Sequence, residues 1–190
     1  MLSEEQGQTL VRLARRQIEE RLGIAAQARA NPDEFQAPAF GEKRGVFVTL
    51  HRNRELRGCI GSLAAIEPLA EGVRRNAVNA AFHDYRFAPL TAAELPELHI
   101  EVSVLSEPQP LTATDADDLV RRLRPGVDGV ILQGPNGEQA TFLPQVWQQL
   151  KRPELFLDHL CRKAGLPGDA WRSGRLRVFT YQVQSFEEPR

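Results

Sequence analysis

The sequence predicts an α+β fold, with a largely antiparallel sheet flanked by helices. Strand-like runs joined by short polar turns indicate antiparallel pairing, and other segments have the 3.6-residue period of amphipathic helices. Regular strand–helix–strand alternation, which would indicate a parallel sheet, is missing from this pattern. A chain of 190 residues can form one large domain or a larger and a smaller lobe. We expect a single domain over residues 3–188, without a lobe boundary that the sequence defines.

The first predicted element is an amphipathic helix over residues 3–22. Ser3 and Gln6 have the spacing of a capping box at its start, and Gly23 can end it. Residues 25–45 show little periodicity, which predicts a long irregular segment. Further helices are predicted at 68–82, 114–123 with Thr114 as the cap, 145–150 and 153–163.

Strands are predicted wherever apolar and polar residues alternate or β-branched residues cluster. These segments are 46–50, 56–62, 98–105, 129–133, 139–143 and 175–183. The first two are joined by the polar stretch 51–55, which predicts a five-residue hairpin loop. Gly134-Pro135-Asn136-Gly137 predicts a tighter hairpin later in the chain.

Composition and charge exclude several classes of protein. A formal net charge of -1 gives no global field that would hold polyanions, so a nucleic-acid contact would need a local patch. Two cysteines are too few for a disulfide framework, and neither a metal-binding knuckle nor a cofactor fingerprint is present. An acidic amino-terminal stretch and the lack of an apolar run of about 18 residues argue against a signal peptide or membrane span. We therefore expect a cytoplasmic protein without a metal or an evident cofactor.

The hexapeptide Leu56-Arg57-Gly58-Cys59-Ile60-Gly61 is the most informative stretch for function. Glycine within a strand weakens it and marks a bulge, a bend or a close approach of a ligand or backbone. If this strand alternates strictly, Arg57, Cys59 and Gly61 share one face, so that guanidinium and thiol project together. Exposed backbone beside an arginine would suit an anionic ligand. The alternative is a glycine bend that only lets a helix pack on the strand.

The hexapeptide and five other segments together resemble the AMMECR domain family. The other segments are 45–50, 81–90, 100–105, 142–147 and 163–166, so the likeness spans nearly the whole chain. The resemblance implies an α+β fold with a larger and a smaller lobe, similar to folds that bind nucleotides, nucleic acids or peptides. It implies no settled activity. Similar bacterial proteins are often encoded beside a Memo-like protein and a radical-SAM enzyme, which the resemblance suggests as partners.

A second hypothesis makes Cys59 the nucleophile of a thiol-dependent enzyme. Arg57 on the same face could favour the thiolate, and His83 with Asp84 could act as base and orienting group. Cysteine is also among the most buried residue types, so a structural role remains an alternative. The family pattern has Asp-Pro-Arg-Phe where this chain has Asp84-Tyr85-Arg86-Phe87, which removes a turn-fixing proline.

The leading hypothesis is a ligand-binding domain with a cleft beside Leu56–Gly61. Arg57, Gly58, Cys59, Ile60 and Gly61 would contact an anionic ligand, or one resembling a nucleotide or nucleic acid. Arg86 and Phe87 could add a cation and a stacking ring, although for Phe87 we favour a structural role as the core anchor of its loop. A third hypothesis is a protein-interaction module, for which an exposed apolar patch would be the distinguishing feature.

Overall fold

The computed structural model describes residues 1–24 and 37–189 and has the predicted α+β architecture. The chain divides into two compact units, which we call the first unit and the second unit. The first comprises Met1–Ser106 with Gln184–Arg190, and the second comprises Glu107–Val183. Each contains a four-stranded sheet. No helix among the described residues is both long enough and apolar enough to cross a bilayer.

The first unit packs helices against one face of its sheet. The elements are α1 (Glu4–Arg21), α2 (Pro38–Gly41), β1 (Val46–Arg52), β2 (Glu55–Ser62), α3 (Leu69–Phe82), a 3-10 helix (Ala92–Glu97), β3 (Leu98–Leu105) and β8 (Val183–Glu187). The strand order is β2-β1-β3-β8, which leaves β2 at one edge.

Alternation along β1 and β3 decides which side chains form the core of the first unit. Val48 and Ile100 point inward and are fully buried, as are Leu10 of α1 and Val73 of α3. The predicted capping box at Ser3 is confirmed, with Gln6 as its second member. These contacts bury the apolar stripes of both long helices.

The hairpin between β1 and β2 is tighter than the sequence predicts. The strands continue to Arg52 and from Glu55, so the connection has two residues and not five. Asn53 and Arg54 both have positive φ, at 53° and 67°. Two left-handed residues form the primed turn whose twist matches that of the flanking strands. The prediction of a five-residue loop was wrong because a left-handed arginine is uncommon and gives no sequence signal.

Replacing Arg54 with glycine is expected to raise the free energy of unfolding by about 0.5 kcal/mol. Glycine adopts positive φ without the steric penalty of a β-carbon, although it adds entropy to the unfolded chain. The urea midpoint measures the effect. Arg54→Ala, which removes the side chain but keeps the penalty, is the matched control. An equal gain in both variants would show that the left-handed backbone is not the cause.

The second unit has Trp147 and Trp171 buried in its core. Its elements are β4 (Gln109–Pro110), α4 (Ala116–Arg122), β5 (Gly129–Gln133), β6 (Gln139–Phe142), a 3-10 helix (Pro144–Gln148), α5 (Pro153–Lys163), a second 3-10 helix (Ala170–Ser173) and β7 (Arg177–Tyr181). The strand order is β4-β7-β5-β6, and the predicted hairpin between β5 and β6 is confirmed.

Three other boundaries differ from the predictions. The single strand predicted at 175–183 is two strands, β7 and β8, which belong to different sheets, and a continuous alternating run cannot reveal that change. The cap of α4 is Asp115, whose side chain accepts from the Asp118 amide, and not Thr114. In the segment 25–45, Pro38–Gly41 forms a short helix, and 25–36 lie outside the described residues.

Candidate functional site

The hexapeptide lies on β2, and a β-bulge interrupts the strand at its arginine. Leu50 of β1 pairs with Gly58, but the next residue, His51, pairs with Leu56, so Arg57 has no partner. A bulge of this kind re-aims side chains and breaks the two-residue period. The prediction of strict alternation was therefore wrong at Arg57, and its side chain reaches different partners from that of Cys59.

Neighbouring groups fill the space that the two glycines leave. A β-carbon on Gly58 would lie 2.2 Å from the carbonyl oxygen of Ala80 in α3, and Gly58 is buried. A β-carbon on Gly61 would lie 2.2 Å from the ring of Phe47. The packing alternative is thus confirmed for Gly58, where the backbone of α3 rests on the strand. Neither glycine therefore opens a hollow beside the strand.

Arg57 is committed to the segment that follows α3. Its Nε donates to Glu94 Oε1 at 2.8 Å, and its Nη2 donates to Glu94 Oε2 at 3.3 Å and to the carbonyl oxygen of Ala88 at 2.9 Å. The two side chains are 13% and 14% exposed, so solvent screens the pair weakly. Nη1 is buried and has no hydrogen-bond partner among the described residues.

Asp84 and Arg86 close the free edge of β2 at Cys59. Asp84 Oδ2 accepts from the Cys59 amide at 2.9 Å, and Arg86 Nη2 donates to the Cys59 carbonyl oxygen at 3.2 Å. Arg86 also donates to both carboxylate oxygens of Asp84, from Nε at 2.9 Å and from Nη2 at 2.7 Å. An edge strand presents unpaired N–H and C=O groups, and this ion pair occupies the position that a further strand would take.

The contacts of the Cys59 thiol differ from those of a catalytic triad. Its sulfur lies 3.2 Å from Oγ1 of Thr49, the residue opposite on β1. The imidazole of His83 faces Asn79 Oδ1, 3.0 Å from Nδ1, and Asp84 binds the Cys59 amide and not its thiol. Among the described residues, no hydrogen bond joins the Cys59 sulfur to His83 or Asp84.

The ring of Phe87 lies close to the guanidinium groups of both arginines. The guanidinium carbon of Arg57 is 5.8 Å from the centre of the Phe87 ring, and that of Arg86 is 5.5 Å from it. Both distances fall within the range of cation–π attraction. We call Arg57, Phe87 and Arg86 the arginine–phenylalanine stack. Tyr85 beside it is 95% exposed, so the turn also presents a free aromatic side chain.

The ion pairs lower the pKa values of both carboxylates. Hydrogen bonds from the Arg86 side chain hold the pKa of Asp84 well below its usual range, although burial opposes this effect. The Arg57 side chain likewise lowers the pKa of Glu94 to about 2. Thr91 contributes to the second shift, since its amide and hydroxyl both donate to Glu94 Oε2. Both carboxylates are therefore charged at neutral pH, and each balances one arginine of the stack.

The structure thus brings together most of the predicted site residues and adds two that the sequence analysis missed. Arg57, Cys59, Asp84, Arg86 and Phe87 are linked by the contacts above, whereas Ile60 packs against the hydrophobic core. The missed residues are Glu94 and Thr49. Thr91-Ala92-Ala93-Glu94 has the spacing of a capping box, a signal that predicts a helix start and a hydrogen-bonded Glu94 side chain. Thr49 had no such signal, because only strand register places it opposite Cys59.

Among the described residues, no three or more histidine, cysteine, aspartate or glutamate side chains form a cluster that could hold a metal ion. Cys161, the other cysteine, is fully buried in the second unit, and this burial raises the pKa of its thiol. It acts there as a small apolar side chain.

A family model, relatives and a solved structure each match this protein over most of its length. A family model described as AMMECR1 matches residues 11–186. A protein of Thermofilum pendens is 41% identical, with 98% of this chain and 92% of the relative covered, and one of Methanothermobacter thermautotrophicus is 40% identical, with 98% and 96% covered. The crystal structure of the uncharacterized protein PH0010 from Pyrococcus horikoshii matches with a TM-score of 0.79, 37% identity, and coverage of 98% and 93%.

Proposed function

We propose that this chain, which belongs to the AMMECR1 family, is a binding domain that holds an anionic ligand, or one resembling a nucleotide or nucleic acid, at the arginine–phenylalanine stack. The family membership brings no assigned reaction with it. The proposal therefore depends on the chemistry of the side chains beside β2.

The observation that carries the proposal is the incomplete hydrogen bonding of Arg57. A guanidinium has five N–H donors, and a buried donor without an acceptor costs about 1–3 kcal/mol. Nη1 of Arg57 is such a donor among the described residues. An oxygen of a phosphate or carboxylate would satisfy it, and the planar guanidinium suits both groups. Because Nη1 is buried, binding requires a shift of the side chains that cover it.

The aromatic side chains favour a ligand with a planar ring. Phe87 lies within cation–π distance of both arginines, and Tyr85 is free to contact a base or another ring. Aromatic and guanidinium planes recognise unpaired bases by stacking, without the charged surface that duplex binding needs. The formal net charge of -1 agrees with a local contact of this kind.

Catalysis by Cys59 receives less support from the same geometry. An acyl-transfer site needs free N–H donors for the developing oxyanion and a base near the nucleophile. The Cys59 amide is occupied by Asp84, and the thiol faces the hydroxyl of Thr49. These contacts favour a binding role for the region over an enzymatic one.

Arg57→Lys is expected to weaken binding of AMP at least about tenfold while leaving the protein folded, a loss of about 1.4 kcal/mol. Lysine keeps the charge but loses the planar donor arrangement. Isothermal titration calorimetry with AMP and with a uridine hexanucleotide measures the effect and separates small ligands from RNA. Arg44→Lys is the matched control, since Arg44 also donates two hydrogen bonds to one glutamate, Glu42.

Equal losses in both variants, or a parent protein that binds neither probe at about 1 mM, would contradict the proposal. The second outcome would favour the interaction-module alternative. In that case we expect the exposed Tyr85 to contact the partner protein, because tyrosine is enriched among the residues that dominate the binding energy of interfaces. The Memo-like and radical-SAM proteins would then be the first partners to test.

A further inference from the structure

The second unit contains a cavity whose lining residues all belong to that unit. Its volume is about 470 Å³, within the range of small-molecule sites. It is bordered by α4, by the amino-terminal turns of α5 and by the 3-10 helix Ala170–Ser173, all within 107–183. The arginine–phenylalanine stack contributes nothing to it, so the cavity is independent of the proposed function.

Three arginines from three different elements line this cavity, and their charges are only weakly neutralised. Arg121 Nη2 lies 3.4 Å from Asp118 Oδ1, and Arg152 Nε lies 3.6 Å from Glu154 Oε2, with the two arginine side chains 67% and 71% exposed. Ion pairs with such long distances and such exposed side chains contribute little free energy. Most of the N–H donors of both side chains are therefore available to a ligand.

The third arginine is held in place by stacking and not by a carboxylate. The guanidinium carbon of Arg172 lies 4.1 Å from the centre of the Trp171 ring. The ring is itself fixed, because Trp171 Nε1 donates to Asp158 Oδ1 at 2.7 Å. Arg172 has no ion pair among the described residues. A guanidinium that is oriented before binding loses less entropy when it contacts an anion.

Carboxylates in the same lining restrict the class of ligand. Asp117 and Glu154 border the cavity together with the three arginines, and Asp158 is already engaged by Trp171. A polyanion would gain from the arginines but would be repelled by these carboxylates. A ligand that carries both an anionic group and hydroxyl donors would satisfy both sets, since carboxylates accept from hydroxyl groups.

We propose that this cavity binds a small phosphate monoester of a polyhydroxylated compound, with the phosphate at Arg121, Arg152 and Arg172 and the hydroxyl groups at Asp117 and Glu154. A phosphate group presents several oxygens that match the donors of more than one guanidinium. The cavity volume admits a ligand of the size of a sugar phosphate.

Ribose 5-phosphate is the probe for this proposal, and ribose and inorganic phosphate are its two halves. By titration calorimetry the parent is expected to bind ribose 5-phosphate at least about tenfold more tightly than phosphate, and ribose not at all at about 1 mM. Arg152→Gln and Arg172→Gln should each weaken ribose 5-phosphate binding at least about tenfold. Asp117→Asn should reduce the preference for ribose 5-phosphate over phosphate.

Arg122→Gln is the matched control, because Arg122 neighbours Arg121 on α4 but pairs with Asp118 at 2.8 Å and does not line the cavity. It should bind like the parent, as should Arg57→Lys, which separates this proposal from the one for the first unit. Failure of the parent to bind ribose 5-phosphate at about 1 mM would overturn the inference. So would equal losses in Arg122→Gln and Arg152→Gln with unchanged unfolding midpoints, which would indicate a diffuse electrostatic attraction.

Discussion

Gly58→Ala is expected to lower the free energy of unfolding by about 3 kcal/mol. The new β-carbon would lie 2.2 Å from the carbonyl oxygen of Ala80, which is backbone and cannot rotate away. Overpacking of a core costs about 1–3 kcal/mol and sometimes more. Relief would require α3 to move off β2, and the bulge at Arg57 beside it would be disturbed as well.

Urea unfolding measured by circular dichroism tests this expectation. Gly41→Ala is the control, since a β-carbon at Gly41 meets nothing within 4 Å and the residue does not have a positive φ. It should change the free energy of unfolding by less than about 0.5 kcal/mol. A Gly58→Ala variant as stable as Gly41→Ala would show that α3 and β2 do not pack as closely as described.

Asp84→Asn is expected to destabilise the protein by about 2–3 kcal/mol. The substitution removes the charge that Arg86 neutralises and weakens the acceptor for the Cys59 amide, while keeping the shape of the side chain. A buried charged hydrogen-bond network loses this much when one partner is replaced. Glu20→Gln, which breaks the exposed pair with Arg16 on α1, is the control and should cost less than about 0.5 kcal/mol.

The stability of the parent protein is expected to depend on pH through Asp84 and Glu94. The folded-state pKa values of Asp84 and Glu94 lie below their ordinary values of 3.8 and 4.5, that of Glu94 at about 2. A carboxylate with a lowered folded-state pKa stabilises the folded protein fully at pH values above its pKa in the unfolded chain. This stabilisation is lost as the pH falls through its pKa in the folded protein. The parent should therefore lose stability as the pH falls from about 5 to about 2.

Because Asp84→Asn removes one of the two groups, its stability should fall less steeply over that range than that of the parent. Urea midpoints measured at several pH values give the two slopes. Parallel curves for the parent and the variant would show that Asp84 titrates alike in the folded and unfolded states. The ion pair with Arg86 would then contribute nothing to stability.

If Asp84 and Arg86 protect the edge of β2, their loss has a further consequence. An unprotected edge strand is a template for pairing with another chain. The soluble Asp84→Asn variant should then be examined for self-association by sizing, alongside Glu20→Gln. The ion pair between Asp84 and Arg86 therefore has a structural role in covering the edge of β2, which does not depend on ligand binding.

Local sequence patterns determined the elements whose signals lie within a few residues. The capping box at Ser3, the strand Leu98–Leu105 and the hairpin around Gly134–Gly137 were all predicted and are confirmed. In each case the physical cause is local: a side chain bonds a backbone amide three residues away, or alternate residues face opposite sides of a sheet. The family could be recognised for the same reason, since its motifs are short segments in a fixed order.

Only the tertiary structure decided what the hexapeptide touches. The sequence identified Arg57, Cys59 and the glycines as unusual, but it did not reveal the bulge, which depends on the register between β1 and β2. The carbonyl of Ala80 and the carboxylate of Glu94 come from segments distant in the chain. Strand register and helix placement arise from burying apolar surface across the whole first unit, and no local pattern encodes them. The sequence therefore determined which residues of β2 are unusual. Packing determined that Gly58 allows close contact with α3 and that Arg57 is bound by Glu94.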